Sequence, residues 1–110
     1  MDDSRALDSF SALSNGTRLA VFRLLVRQGP GGVAAGEIAQ ALDVPPSTLS
    51  DHLSRLQRAG LVRSRRDRQR IVYAAHIAGI RALLAFLTDD CCGGRPEICG
   101  VTITEGEQEP

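Results

Sequence analysis

Apolar residues recur at the spacing of an α-helix in five stretches of the 110-residue chain. Glycine and proline separate these stretches, at Asn15-Gly16, at "GPGG" (29–32) and at Pro45-Pro46. Proline suits the first turn of a helix, and glycine suits the position just after its end. The pattern predicts helices over residues 4–13, 16–28, 35–42 and 76–88. It predicts a further helix that begins at Pro45-Pro46 and ends at Gly60.

Two short β-prone runs lie between the fourth and fifth predicted helices. Leu61-Val62 and Ile71-Val72-Tyr73 flank an arginine-rich turn, which predicts a hairpin with its tip at residues 65–70. The fold class is therefore mainly α with a small β-hairpin. Two short helices joined by a turn and followed by a basic hairpin have the layout of a winged helix-turn-helix.

The fourth predicted helix has two different faces. Leu49, Leu53 and Leu56 form one apolar stripe, and the opposite side is polar and basic. In a helix-turn-helix the second helix enters the major groove with its N-terminal residues at base edges. A carboxylate there can accept from a cytosine amino group, or it can pair with an arginine one turn later. The predicted DNA contacts on this helix are Ser47, Thr48, Ser50, Asp51 and Arg55, with an Asp51–Arg55 ion pair as the alternative for Asp51.

Charge is distributed unevenly, although the formal net charge is zero. All thirteen basic residues are arginines, and residues 55–81 hold eight of them against Asp67 alone, a net charge of +7. Residues 82–110 hold six carboxylates against Arg95, a net charge of −5. A local basic segment of this kind is typical of a polyanion site. The hairpin arginines predicted to meet phosphates or the minor groove are Arg65, Arg66, Arg68 and Arg70.

Other classes of protein fit the sequence poorly. The length indicates one domain, no run of 18 apolar residues could span a membrane, and the acidic N-terminus lacks the apolar region of a signal peptide. We therefore expect a cytoplasmic protein without a membrane partner. Arg95 follows Cys91 by four residues and Cys92 by three, whereas phosphate-loop thiol enzymes space these residues five apart. No Ser–His or carboxylate–His pairing stands out, so we expect no enzyme activity and no organic cofactor.

The three cysteines, Cys91, Cys92 and Cys99, fall within nine positions. Adjacent cysteines are too close for ordinary disulfide geometry, but Cys92 and Cys99 could form one. Three soft sulfurs favour a soft ion, and As(III) or Sb(III) is satisfied by three thiolates in a pyramid. Cd(II) or Pb(II), a redox switch, and cysteines without function remain alternatives. His52 and His76 lack metal-ligand spacing, and packing or capping is the expected role of each.

Several motifs together resemble the ArsR/SmtB family of metalloregulatory repressors. They are "ALSNGTRL" before the second helix, "STLSDHL" on the fourth and "AGLVRSRR" leading into the hairpin, and the resemblance covers about residues 6–87. It implies a homodimeric winged helix, dimerising through its terminal helices, that binds operator DNA and releases it when metal or metalloid binds. Ser47, Thr48, Ser50 and Asp51 fall where family members touch DNA, and Asp51 stands where many members have His or Gln.

The effector site that the resemblance implies lies near the C-terminus. The third helix, "GEIAQAL", lacks the cysteines of one familiar arsenite site, and the last helix lacks the Asp, His and Glu pairs of the familiar zinc site. "CCGGRPEIC" resembles an arsenic-responsive subgroup with three cysteines just beyond the last helix. This implies a DNA-binding and dimerisation domain at 1–90 and a cysteine-bearing segment at 91–110 with an acidic, disordered tail. The implied inducer is As(III) or Sb(III) on Cys91, Cys92 and Cys99, with redox or Cd(II)/Pb(II) sensing as alternatives.

Overall fold

A computed structural model describes the backbone of residues 1–92 and the side chains of residues 1–88. Five helices and three strands follow one another along this part of the chain. They are α1 (Asp3–Leu13), α2 (Gly16–Gln28), β1 (Val33–Ala34), α3 (Ala35–Leu42), α4 (Pro46–Arg58), β2 (Val62–Asp67), β3 (Arg70–Ala75) and α5 (Ile77–Cys92). The predicted fold class, mainly α with a small β-hairpin in a winged helix-turn-helix, is confirmed.

Local capping explains where the first two helices begin. The Asp2 carboxylate accepts a hydrogen bond from the Arg5 amide at 2.9 Å, and the Asn15 side-chain oxygen accepts from the Arg18 amide at 3.0 Å. Each bond satisfies an amide that the first turn of a helix leaves without a partner. Gly29 ends α2 at a φ of 83°, a conformation that glycine adopts without steric cost.

The sheet has three antiparallel strands in the order β1-β3-β2, one more than the predicted hairpin. The additional strand β1 has two residues, which pair with Tyr73 and Val72. In the hairpin β2–β3, termed the wing below, Asp67 pairs with Arg70 across a two-residue loop. The wing is therefore held at its base by β1, which immediately precedes α3.

The core is aliphatic and centres on α2 and α4. Leu49, Leu53 and Leu56 are fully buried, as the stripe on α4 predicted, and they share one cluster with Val21, Phe22, Leu25 and Ile38. Each such side chain stabilises the fold by about 1.5–3 kcal/mol. The helical periodicity of α2 predicts one buried apolar face of Leu19, Phe22, Leu25 and Val26, but Leu19 and Val26 are 43% and 44% exposed. The placement of these two residues in the core was therefore wrong for the isolated chain.

The start of α5 packs against the turn that follows α4. His76 donates its backbone amide to the Leu61 carbonyl at 2.8 Å, and its ring Nδ1 lies 3.0 Å from the Gly60 carbonyl oxygen. A Cβ at Gly79 would overlap that same oxygen, so only glycine permits this approach. From this joint α5 continues to Cys92, four residues beyond its predicted end at residue 88. Within the described residues, no helix combines the length and apolar character needed to cross a bilayer.

Candidate nucleic-acid interface

The outer face of α4 is exposed and free of internal contacts. Its buried leucines fix which side points outward, because they occupy the positions one helical turn apart that face the core. Within the described residues, no side chain on the outer face forms a hydrogen bond or an ion pair. This holds for all five predicted contacts on the helix, namely Ser47, Thr48, Ser50, Asp51 and Arg55.

The N-terminal end of α4 is open as well. Pro45 occupies the N-cap position and Pro46 begins the helix, and no side chain caps this end. The Ser47 hydroxyl could support this end of the helix, but it forms no such hydrogen bond. The hydroxyl and the first amides of the helix therefore remain available to an acceptor such as a phosphate oxygen.

The Asp51–Arg55 ion pair predicted as an alternative does not form. The salt bridges among the described side chains both involve Arg70, and neither includes Asp51 or Arg55. Arg55 instead lies on an open groove of about 330 Å³ between α1 and α4, which is lined by Asp8, Ser11, Ala12, Arg55, Arg58 and Ala59. The carboxylate and the guanidinium are thus separately exposed, and each can bind a partner outside the chain.

Besides the pairing with β1, three side-chain contacts attach the wing to the other described residues. The Gln57 side chain of α4 donates to the Ser64 hydroxyl at 3.1 Å. Arg65 donates to the Gly31 carbonyl at 3.2 Å, in the loop before β1. Arg70 lies 3.8 Å from a carboxylate oxygen of Glu37 on α3 and 3.8 Å from one of Asp67 within the wing. Two of the four predicted wing contacts therefore already have partners inside the chain.

The other two predicted wing contacts, Arg66 and Arg68, have no such partners among the described residues. Both are exposed, and Arg68 is the first residue of the wing loop, with a left-handed φ of 62°. Glycine or asparagine is the usual choice at such a position, because a side chain there costs about 1 kcal/mol or more. Arg68 is therefore an exposed cation on a strained backbone at the tip of the wing.

Arg18 is a site residue that sequence reasoning missed. It lies on α2 and is only 9% exposed. Its Nε donates to the Ala12 carbonyl at 2.7 Å, Nη2 donates to the Ser11 carbonyl at 3.5 Å, and Nη1 lies 3.3 Å from His52 Nδ1 on α4. Burial, and secondarily the nearby charge of Arg55, lower the pKa of Arg18, although an arginine remains charged at neutral pH.

A signal for Arg18 was present in the sequence. Residues 18, 21, 22 and 25 fall on one side of a helix, and the other three, Val21, Phe22 and Leu25, are buried. An arginine at a core position of an apolar helix marks a buried charge that needs partners. The carbonyl groups at the end of α1 and the His52 ring provide those partners.

Both histidines take the structural roles expected for them. His52 Nδ1 accepts from Arg18, since every guanidinium nitrogen is a donor. His76 Nδ1 donates to the Gly60 carbonyl. Neither ring joins a cluster of potential ligands. Among the side chains that the structure describes, no three His, Cys, Asp or Glu come close enough to hold a metal ion.

The predicted effector cysteines fall at the limit of the described chain. Cys91 and Cys92 are the last two residues of α5, and Cys99 lies outside the described residues, as does the predicted acidic tail. The α5 backbone connects the first two cysteines to the Gly60–His76 joint at the end of α4.

Comparison with known proteins identifies the family. A family model described as a helix-turn-helix domain matches residues 13–65. The HTH-type transcriptional regulator YgaV of Escherichia coli is 35% identical over 81 residues, which cover 74% of this chain and 80% of YgaV. The nodulation protein NolR of Rhizobium meliloti is 34% identical over 88 residues, which cover 80% of this chain and 70% of NolR.

A solved structure agrees with these relatives. It is the NMR structure of a homodimeric winged helix-turn-helix DNA-binding domain from Mycobacterium bovis, described as a possible ArsR-family transcriptional regulator. It is 26% identical to this chain and superposes with a TM-score of 0.65, covering 84% of this chain and 90% of the other. The residues that the family model matches include all of α4 and the start of β2. The chain belongs to the ArsR/SmtB family of DNA-binding, winged helix-turn-helix transcriptional regulators.

Proposed function

We propose that this regulator is a metalloid-responsive repressor, in which a homodimer binds operator DNA and releases it when As(III) or Sb(III) binds Cys91, Cys92 and Cys99. The observation that carries the DNA-binding part is the outer face of α4. Its residues Ser47, Thr48, Ser50 and Asp51 are exposed, and their side chains form no hydrogen bond or ion pair within the described chain. Polar groups left without partners on a rigid helix are suited to base and phosphate readout.

The residues of α4 divide between two kinds of contact. The hydroxyl groups near the helix start bond to base edges or phosphates, and the Asp51 carboxylate accepts from a cytosine amino group. Because Asp51 is not paired with Arg55, base contact is the better of the two roles considered for it. Arg55 and Arg58, nearer the end of the helix, bind phosphate and contribute affinity rather than sequence choice.

The wing arginines divide in a similar way. Arg66 and Arg68 bind phosphate or enter the minor groove, since neither is engaged elsewhere in the described chain. Arg65 and Arg70 hold the wing in place through Gly31 and Glu37 and add their charge to the local field. The wing thus combines two DNA contacts with two internal attachments.

Homodimerisation is supported by apolar side chains that the isolated chain leaves exposed on its terminal helices. Leu7 and Phe10 on α1 are 65% and 42% exposed, and Ile77 and Leu87 on α5 are 45% and 38% exposed. A second copy would remove this surface from water. In a two-fold dimer the two recognition helices would lie about 34 Å apart, one turn of DNA.

Sensing of As(III) or Sb(III) is supported by the ligand set. Three thiols within nine residues provide the three sulfurs that trivalent arsenic requires, without an imidazole that would favour zinc. Two of them end α5, one of the helices proposed to form the dimer contact. A metalloid there would change the end of that helix and, through the dimer, the spacing of the two α4 helices. A coupling of about 1–3 kcal/mol would change DNA affinity about 5- to 150-fold.

The test is a titration of arsenite into the protein–operator complex in reducing buffer, with the wild type and three Cys→Ser variants. We expect arsenite to release DNA from the wild type and to have a weaker effect on each variant. Native mass spectrometry then counts arsenic atoms per dimer.

Retention of the full response in Cys91→Ser, Cys92→Ser and Cys99→Ser would rule out the site. Release by peroxide that dithiothreitol reverses, with no response to arsenite, would favour the redox alternative. Release of DNA by Cd(II) or Pb(II), but not by arsenite, would favour the alternative of a Cd(II)/Pb(II) sensor.

A further inference from the structure

We propose that Arg18 is a positioning residue for operator binding. It fixes the corner between α1 and α2 to His52 of the recognition helix, and so sets the orientation of α4 without touching DNA. The inference rests on the proposed function, since its readout is operator affinity. Arg18 is the most deeply buried charged residue among the described residues, and it belongs neither to the outer face of α4 nor to the wing.

The contacts of Arg18 join three helices. Its Nε and Nη2 donate to the carbonyl groups of Ala12 and Ser11, in the last turn of α1, and the Ser11 carbonyl also accepts from the Ser14 amide at 3.2 Å. Its own amide is held by Asn15, the N-cap of α2. Its Nη1 donates to His52 on α4. One side chain therefore connects the end of a helix in the proposed dimer contact with the helix that reads DNA.

The position of His52 makes this contact sensitive to the rotation of α4. His52 follows Asp51 directly and lies one turn after Thr48, so its contact is close to the proposed base-reading groups. A direct bond from α1 lies at the other end of α4, where the buried Ser9 hydroxyl donates to the carbonyl of Ala59, the C-cap residue, at 3.4 Å. Two bonds about seven residues apart fix both the tilt and the rotation of α4 against α1.

Stability alone is a poor explanation for this arrangement. Burying a guanidinium removes water from a charge, and no carboxylate lies within ion-pairing distance of Arg18 among the described residues. Apolar residues of similar volume commonly stabilise a core as well as a buried charge does. The directional bonds of Arg18 give a defined helix orientation, which apolar packing does not specify as sharply.

The experiment compares four variants by fluorescence anisotropy on an operator duplex and on a scrambled duplex of equal length, at one salt concentration. His52→Leu removes the acceptor, whereas His52→Gln keeps an oxygen that can accept from Arg18. Arg18→Gln removes the charge together with most of the donors. Arg23→Gln is the matched control, because Arg23 lies on the same helix, is exposed and makes no contact among the described residues.

We expect His52→Leu and Arg18→Gln to weaken operator binding about tenfold, the effect of misplacing one base contact, with less than about threefold change on scrambled DNA. His52→Gln should remain within about threefold of the wild type, and Arg23→Gln should shift both duplexes equally. If Arg18→Gln fails to fold, as judged by circular dichroism, the His52 pair carries the test.

Two results would overturn the inference without affecting the proposed function. In one, the wild type prefers the operator and His52→Leu binds it equally well. In the other, His52→Gln is as weak as His52→Leu, so that the accepting atom is irrelevant. A wild type that binds neither duplex would overturn the proposed function itself.

Discussion

The recognition helix α4 and the wing both carry predicted DNA contacts, but different forces hold them in place. Buried leucines fix α4 from behind, and all the polar residues on its outer face stay free. The wing combines buried side chains, such as Val62 and Val72, and its pairing with β1 with exposed polar contacts, two of which are made by Arg65 and Arg70. The arginines of one basic run are therefore not equally available to DNA, because some of them form contacts within the protein.

The largest expected effect is on α4. Leu53→Ala should lower the free energy of unfolding by about 2–5 kcal/mol, since Leu53 is 1% exposed and its removal leaves a cavity in the core. Urea denaturation at fixed protein concentration measures this value. Val26→Ala, at a position that is 44% exposed, is the control and should change stability by less than about 1 kcal/mol. Equal losses in the two variants would contradict the core assigned here.

The next effect separates the two kinds of wing arginine. Arg66→Ala/Arg68→Ala should reduce the slope of log affinity against log salt by about two units per protomer, because each arginine is expected to neutralise one phosphate. Arg65→Ala/Arg70→Ala removes the same charge but should change the slope less, and it should loosen the wing, as hydrogen exchange at β2 and β3 can detect. Anisotropy titrations across a salt series measure the slopes. Identical slopes for the two double variants would show that the tethers seen in the chain do not matter for binding.

The smallest effect is at the tip of the wing. Arg68→Gly relieves the left-handed backbone of an arginine and should stabilise the protein by up to about 1 kcal/mol, while the salt slope falls by about one unit. Opposite changes in stability and DNA affinity from one substitution would identify a strained binding residue. If Arg68→Gly binds DNA as well as the wild type does, DNA binding does not explain the strained backbone at Arg68.

The helices and the outer face of α4 could be predicted from the sequence because hydrophobic periodicity and breaker residues are local signals. The two-residue strand β1 could not, since Val33 and Ala34 form no recognisable pattern without their partners on β3. The periodicity of α2 also placed Leu19 and Val26 in the core, because it reports apolar character and cannot tell a core from a surface left for a partner.

The internal attachments were beyond sequence reasoning for a different reason. Arg65–Gly31 and Arg18–His52 each join residues 34 positions apart, so no short-range pattern encodes them. What the sequence did contain was the unusual position of Arg18 among buried apolar residues. Its partners became apparent only when the ends of α1 and α4 were placed side by side.

The most direct test of the DNA interface is the salt dependence of operator binding by the wild-type protein, which we propose to be a homodimer. The chain carries no net charge, so binding through its overall charge would depend little on salt. The free arginines Arg55, Arg58, Arg66 and Arg68 of each protomer would instead neutralise up to about eight phosphates per dimer. A slope of about −4 to −7 is predicted from their engagement. A slope near zero would contradict the account.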